Sequence, residues 1–273
     1  MSLPKLLRAL VYIAAGLTFF SVAFIILYIL VQGIPHLTPS LFALEYTTEN
    51  VSLFPAIVNT IIIVLLTLVI AVPAGIFAAI YLVEYAKKGN RLVAMIRLTT
   101  ETLAGIPSIV YGLFGLLFFV TKLQWGFSLL SGAFTLAIII LPLIIRTTEE
   151  ALESVPDGWR EASFGLGAGK LRTIFRIVLP AAIPGVLAGV ILAIGRIVGE
   201  TAALIYTAGT VARLPKSLFS SGRTLAIHMF ALSSEGFYID QAYATAVVLV
   251  IIVLGINFLS GFIARKLTKG QVR

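Results

Sequence analysis

Arg196 and Glu200 lie four residues apart inside a long apolar run. On a continuous helix that spacing places both on one face, one turn apart. A charge at that depth in a membrane is costly and faces a protein or aqueous interior, which makes the pair a functional candidate. A guanidinium can donate two parallel hydrogen bonds to an oxyanion. One reading is therefore an arginine lining an anion path, with Glu200 holding or tuning it. The other is a neutralising pair that fixes the orientation of its helix. Arg146, at the end of the preceding apolar run, is either a second anion contact or an interfacial charge. Other chemistries lack their residues. The chain has no cysteine and two histidines, His36 and His228, so disulfides are excluded and a His/Cys metal site is not expected. Gly165-Leu166-Gly167-Ala168-Gly169-Lys170 has the look of a phosphate-cradling loop, but Phe164 stands where its first glycine is required and Leu171 where Ser or Thr should follow the lysine. The sequence thus offers no nucleotide site, no metal and no cofactor.

The second region with chemical content is the polar, charge-dense stretch 146–180 between two apolar runs. Such a connection is longer than two neighbouring helices need. Thr147 with Glu150 three residues on reads as a capping box opening a short helix, which Pro156 interrupts. A second short helix is expected from Asp157 to Leu166, stopped by Gly167 in a left-handed conformation. Trp159, Ala162, Ser163 and Leu166 share one of its faces by three- and four-residue spacing. That stripe either enters a groove on a partner protein or packs on the chain's own helix ends.

Composition fixes what positions these residues. Of the 273 residues 59% are hydrophobic, against about 45–50% in globular domains, and the mean hydropathy is +1.06. Apolar runs near the ~20 residues that span a bilayer recur. The expected fold is all-α: one membrane domain of six transmembrane helices, at 10–31, 57–83, 103–120, 127–145, 181–207 and 242–264. Pro73 is expected to kink the second, and Gly105-Ile106-Pro107-Ser108 to open and bend the third. Arg213 to Asp240 reads as a mixed loop. Gly185 with Gly189, and Gly195 with Gly199, form rows of small residues suited to close helix packing. With six spans both termini share a side with the central loop, and fifteen of the twenty Lys and Arg fall there against four opposite. The positive-inside rule puts that side in the cytoplasm. It also accounts for the net charge of +8 with no need for nucleic acid.

Glu161-Ala162-Ser163, then three residues, Gly167, nine residues and Ile177-Val178-Leu179-Pro180 resembles the EAA loop of ABC-importer permeases, with Ser163 in place of the second alanine. Ala104-Gly105-Ile106-Pro107-Ser108-Ile109-Val110-Tyr111-Gly112, Arg146-Thr147-Thr148-Glu149-Glu150-Ala151 and Gly195-Arg196-Ile197-Val198-Gly199-Glu200-Thr201-Ala202 together resemble phosphate-importer permeases of that type. The Arg-Thr-Thr-Glu-Glu run favours the PstA branch over its companion PstC. The resemblance spans about Ile57 to the C-terminus. It implies the type I ABC importer permease fold, with a cytoplasmic coupling helix between spans four and five, in a prokaryotic inner membrane. It further implies a non-catalytic permease with a PstC-like second permease, a PstB-like ATPase dimer that hydrolyses the ATP, and a PstS-like extracytoplasmic phosphate-binding protein. Arg196, Glu200 and Arg146 are then expected on the substrate pathway, and Trp159, Glu161, Ala162, Ser163, Leu166 and Gly167 on the ATPase-coupling helix. A molybdate or sulfate permease, a secondary transporter and a regulatory membrane subunit are the other readings. Internal repeats would mark a secondary transporter, and none is visible.

Overall fold

A computed structural model describes the backbone of residues 3–87 and 89–269. Lys88 and Arg273, both counted in the charge asymmetry, lie outside the described residues. Among these there is no β-strand, and the α-helices are α1 (Leu3–Gly33), α2 (Phe54–Ile80), α3 (Arg91–Ala104), α4 (Ser108–Gly115), α5 (Leu129–Glu153), α6 (Asp157–Gly165), α7 (Lys170–Thr173), α8 (Leu179–Gly199), α9 (Ala202–Ile205), α10 (Leu225–Glu235) and α11 (Ile239–Lys269). π-helical turns extend α2 over Tyr81–Tyr85 and α4 over Leu116–Lys122, and join α7 to α8 over Ile174–Val178. Five stretches are long and apolar enough to cross a membrane, and a sixth is a pair, Arg91–Ala104 with Ser108–Lys122, bent by 99°.

That bend revises the third span. Leu103 and Ala104 belong to α3, and the direction changes at Gly105-Ile106-Pro107, where proline at the N-cap of α4 cannot continue the preceding helix. By contrast α2 runs on through Pro73. The helix of the fourth span does not end near Ile145. It continues to Glu153, so no new helix starts at Thr147, whose hydroxyl instead donates back to the carbonyl of Leu143 at 2.9 Å. The capping-box spacing is met, but helical hydrogen bonding was never interrupted upstream of it.

The fifth span also differs. Its helix stops at Gly199, and Glu200 has an extended backbone (φ −73°, ψ 127°). The chain then turns through α9 and an irregular stretch that caps the start of α5. The amides of Ser128, Leu129 and Leu130 donate to the carbonyls of Thr207, Ser220 and Leu218 at 3.0–3.1 Å, which satisfies donors that a helix N-terminus leaves open. The supposed loop 213–240 contains α10, whose Leu225, Ala226, Ile227, His228 and Leu232 are buried.

The core lies where α2, α5 and α8 meet, built on Ile63, Leu136, Ile140, Ile144, Ala193 and Ile197, with Leu204 and Ala208 packed against it. Small residues set the approach. A Cβ at Gly185 would stand 2.7 Å from that of Ala151, one at Gly189 would strike Thr147, and one at Gly112 would come within 2.8 Å of Ala203 Cα. Gly195 and Gly199 face open space, so only the first of the two glycine rows on α8 is a packing seam. α1 stands apart. Its side chains from Leu7 to Leu27 are largely exposed, and it meets α11 near its end, where Gly33 lies against Tyr243 and Val247 and the rings of Tyr28 and Tyr243 sit 5.9 Å apart. In a bilayer such a surface is covered by lipid.

Candidate functional site

α3, α5 and the last turn of α8 enclose a cavity of about 830 Å3 whose wall carries Arg97, Glu101, Arg146, Glu149, Glu150 and Arg196 over an apolar floor of Ile139, Pro142 and Leu143. Each charged residue is placed by helical geometry. Arg146, Glu149, Glu150 and Glu153 follow one another on the last two turns of α5, and Arg97 reaches them from α3. Arg97 donates to Glu149 at 3.3 Å and to Glu153 at 3.2 Å, tying α3 to α5. Arg146 donates to Glu150 at 3.0 Å on its own helix, and both side chains are exposed. That i,i+4 pair contributes only a few tenths of a kcal/mol, so it leaves the guanidinium easily available to a competing anion.

Arg196 differs from both. Among the described residues no carboxylate is within ion-pairing distance of it, and its guanidinium is exposed to the cavity. It also borders a neighbouring, mainly apolar cavity of about 730 Å3 with Gly195, Leu192 and Asn257. Its place in the last turn of α8 sets its charge against the negative end of the helix.

The structure separates the expected Arg196–Glu200 pair. Because α8 ends at Gly199, Glu200 no longer follows Arg196 around a helix, and its Oε1 accepts the amide of Ala203 at 3.2 Å, capping α9. The i,i+4 inference presumed helical continuity, which fails one residue before the glutamate. Arg146 and Arg196 do line one cavity. Sequence reasoning does not single out Arg97 and Glu101, which fall between the expected second and third spans. It uses Glu149 only within the Arg-Thr-Thr-Glu-Glu run, and Glu150 there and as the capping partner of Thr147.

The other candidate surface is α6, projecting between the fourth and fifth helical stretches. Trp159 is 53% and Leu166 90% exposed, with Glu161 and Ala162 exposed beside them. Gly167 ends the turn at φ +81°, in left-handed space that favours glycine. Ser163 does not join the exposed stripe. It is buried, and its hydroxyl bonds that of Thr173 at 2.8 Å, pinning α6 to α7. Residues 159, 162 and 166 share the outer face, and 163 falls just past its edge.

A third polar cluster was not anticipated. His228 is fully buried, as is nearly all of Arg223, whose guanidinium stacks on Tyr46 with 4.7 Å from Cζ to the ring centroid. Burial drives the His228 imidazole down to about 3, with the nearby Arg223 charge adding to the effect.

A permease with a helical membrane core, an exposed helix between two spans and cationic groups in a helix-lined cavity is the subunit class that these features define. The chain belongs to the family of binding-protein-dependent transport system inner membrane components, whose model matches residues 71–272. Within that family its similarity runs to PstA-type permeases. It is 35% identical over 268 residues to a probable ABC transporter permease protein, YqgI, of Bacillus subtilis (88% of this chain, 89% of that one). It is 34% identical to the phosphate transport system permease protein PstA of Pasteurella multocida (93% and 91%). Among solved structures it resembles the bacterial alginate ABC transporter, with TM-score 0.66 and 18% identity over 98% of this chain and 99% of that one. It also resembles the inward-facing MetNI methionine ABC transporter, with TM-score 0.61 and 21% identity over 79% and 94%. These place the fold among type I ABC importer permeases. The chain is a multi-pass permease subunit of an ABC importer, a class that works with an ATPase and a substrate-binding protein.

Proposed function

We propose that this chain is the PstA-type transmembrane subunit of an ATP-driven inorganic phosphate importer and forms half of its translocation pathway. The observation that carries the reading is Arg196, a cation with no carboxylate partner among the described residues, facing a cavity it shares with Arg146. Four curated relatives with names as phosphate transport permeases, at 34–36% identity, support the choice of anion. The termini and α6 lie in the cytoplasm, following the charge asymmetry. ATP is hydrolysed by a separate PstB-like dimer, against which α6 docks through Trp159, Glu161, Ala162 and Leu166, with Ser163 and Gly167 fixing its shape. A PstC-like permease completes the pathway, and a PstS-like protein delivers the anion.

In this mechanism closure of the ATPase dimer draws the docked helices together and opens the pathway outward. The anion is passed to Arg196, whose guanidinium can bind it through two hydrogen bonds. It reaches Arg146 by displacing the weakly held Glu150 carboxylate, and hydrolysis resets the assembly. Glu200 acts by shaping the turn after α8. The test is ATP-dependent uptake of labelled phosphate by vesicles holding the full complex, challenged with sulfate or molybdate in excess. Uptake that unlabelled phosphate suppresses and sulfate and molybdate leave intact is expected. Preferential suppression by sulfate or molybdate would reassign the substrate to that oxyanion.

A further inference from the structure

Arg160, on the inner side of α6, is the most fully engaged charged side chain among those described. It and Glu84 are 13% and 8% exposed. Its Nε and Nη2 both donate to Glu84 Oε1, at 3.1 and 2.8 Å. Nη2 also donates to the carbonyl of Leu152 at 2.9 Å, and Nη1 to the carbonyl of Val155 at 2.7 Å and to Asp157 at 3.1 Å. A guanidinium carries five N–H groups, so every donor is used. The Leu152 carbonyl belongs to the last turn of α5, where helix acceptors have no partner within the helix. Glu84 belongs to the π-helical turn that extends α2. One planar group therefore joins α6 to the ends of two membrane helices.

Neighbouring contacts act in the same sense. Lys170 Nζ sits 4.9 Å over the ring of Tyr85, next in sequence to Glu84, and Ser163 bonds Thr173. The helices entering and leaving this junction each carry a π-helical turn there, Tyr81–Tyr85 and Ile174–Val178, and such turns concentrate at functional positions. Leu152 lies six residues beyond Arg146 on α5, roughly 9 Å along the axis at 1.5 Å per residue. A displacement of α6 thus has a short, rigid route to the cavity wall.

We infer that Arg160 is a positioning residue of transport: through Glu84 and the end of α5 it transmits movement of α6 to α2 and α5. The inference rests on the docking of α6 proposed above. A surface ion pair would be too weak and too loose for this, but a buried guanidinium with all its donors satisfied holds a single geometry. Lysine, with three N–H groups and no planar fork, cannot reproduce it.

The test uses the complete importer in vesicles, carrying Arg160→Gln, Glu84→Gln, both together, or Arg160→Lys. Three quantities are read: ATPase retained by the membrane complex, phosphate imported per ATP hydrolysed, and disulfide cross-linking of Leu166→Cys to a cysteine on the ATPase. Retention and cross-linking should persist while import per ATP falls about tenfold or more in Arg160→Gln. Arg160→Lys should recover only part of it. The double variant should be no worse than the poorer single one, because both changes cut one path. Glu84→Gln leaves the bonds to the carbonyls in place and serves if Arg160→Gln assembles poorly. Normal import per ATP in either single variant, with the cross-link intact, overturns the transmission role and leaves docking standing. Failure of the Leu166 cross-link in the otherwise unaltered complex removes the docking, and this inference with it.

Discussion

At the residue scale, the function of a charge here depends on what else touches it. Arg97, Arg146 and Arg196 line one cavity, yet Arg97 is occupied by two carboxylates and Arg146 by one. Glu200 shows how local backbone decides a role. Read from spacing it pairs with Arg196; in the structure it caps α9. Glu200→Ala should therefore lower stability modestly, by about 0.5–2 kcal/mol as other cap losses do, measured as the thermal midpoint in detergent. His228 offers a test by pH. Its imidazole is held neutral, at about 3 against an ordinary 6.5, so the unfolded chain binds the extra proton between those values. Stability is then complete above pH ~6.5 and falls as pH drops through that window, at about 1.4 kcal/mol per unit. Between pH 7 and 5 the loss from this group is about 2 kcal/mol. His228→Asn should flatten the pH dependence of the thermal midpoint over that range, and an unchanged slope would contradict the assignment.

At the element scale, two helices meet through glycine, and one short helix presents an exposed face. Gly189 lies against Thr147 with no room for a side chain, so Gly189→Val should force α5 and α8 apart and cost about 1–3 kcal/mol, read from thermal unfolding. Gly195→Ala, within the same helix but facing open space, should cost nothing and can raise stability by up to ~1 kcal/mol in the same assay. Gly167→Asp replaces a residue at φ +81° and adds charge beside the docking face. We expect the permease to insert normally while ATPase association or stimulated hydrolysis is lost; a complex that hydrolyses and transports at the unaltered rate would contradict docking through α6. Much of this level was legible in sequence, because long apolar runs and a helix stopped by Gly167 are one-dimensional signals. A bend at Gly105-Ile106-Pro107-Ser108 was likewise expected, but the early end of α8 and the burial of Ser163 were not. Both of these depend on where a neighbouring element lies. The helix α10 escaped notice for the same reason: its buried residues follow one another and show no helical stripe.

At the scale of the whole molecule, α2, α5 and α8 make the core while α1 adds an apolar arm that buries almost nothing of its own. The fold class could be read from hydropathy and the EAA spacing. The cavity could not, since it gathers α3, α5 and α8 from distant parts of the chain. The proposed sidedness rests on the charge asymmetry; it requires that a cysteine at Gly89 resist an impermeant thiol reagent in intact cells and that one at Thr47 react, and labelling at Gly89 would invert the topology. On the proposed mechanism an oxyanion passes Arg196, and this arginine has no other duty. This is tested most directly by ATP-driven phosphate uptake in the assembled importer bearing Arg196→Gln, alone and with Glu200→Gln, normalised to assembled complex. Loss of a charge-assisted contact should lower uptake about ten- to a hundred-fold in both, with no rescue in the double variant. Recovery of uptake when both charges are removed would make Arg196 one half of a structural pair and contradict the account.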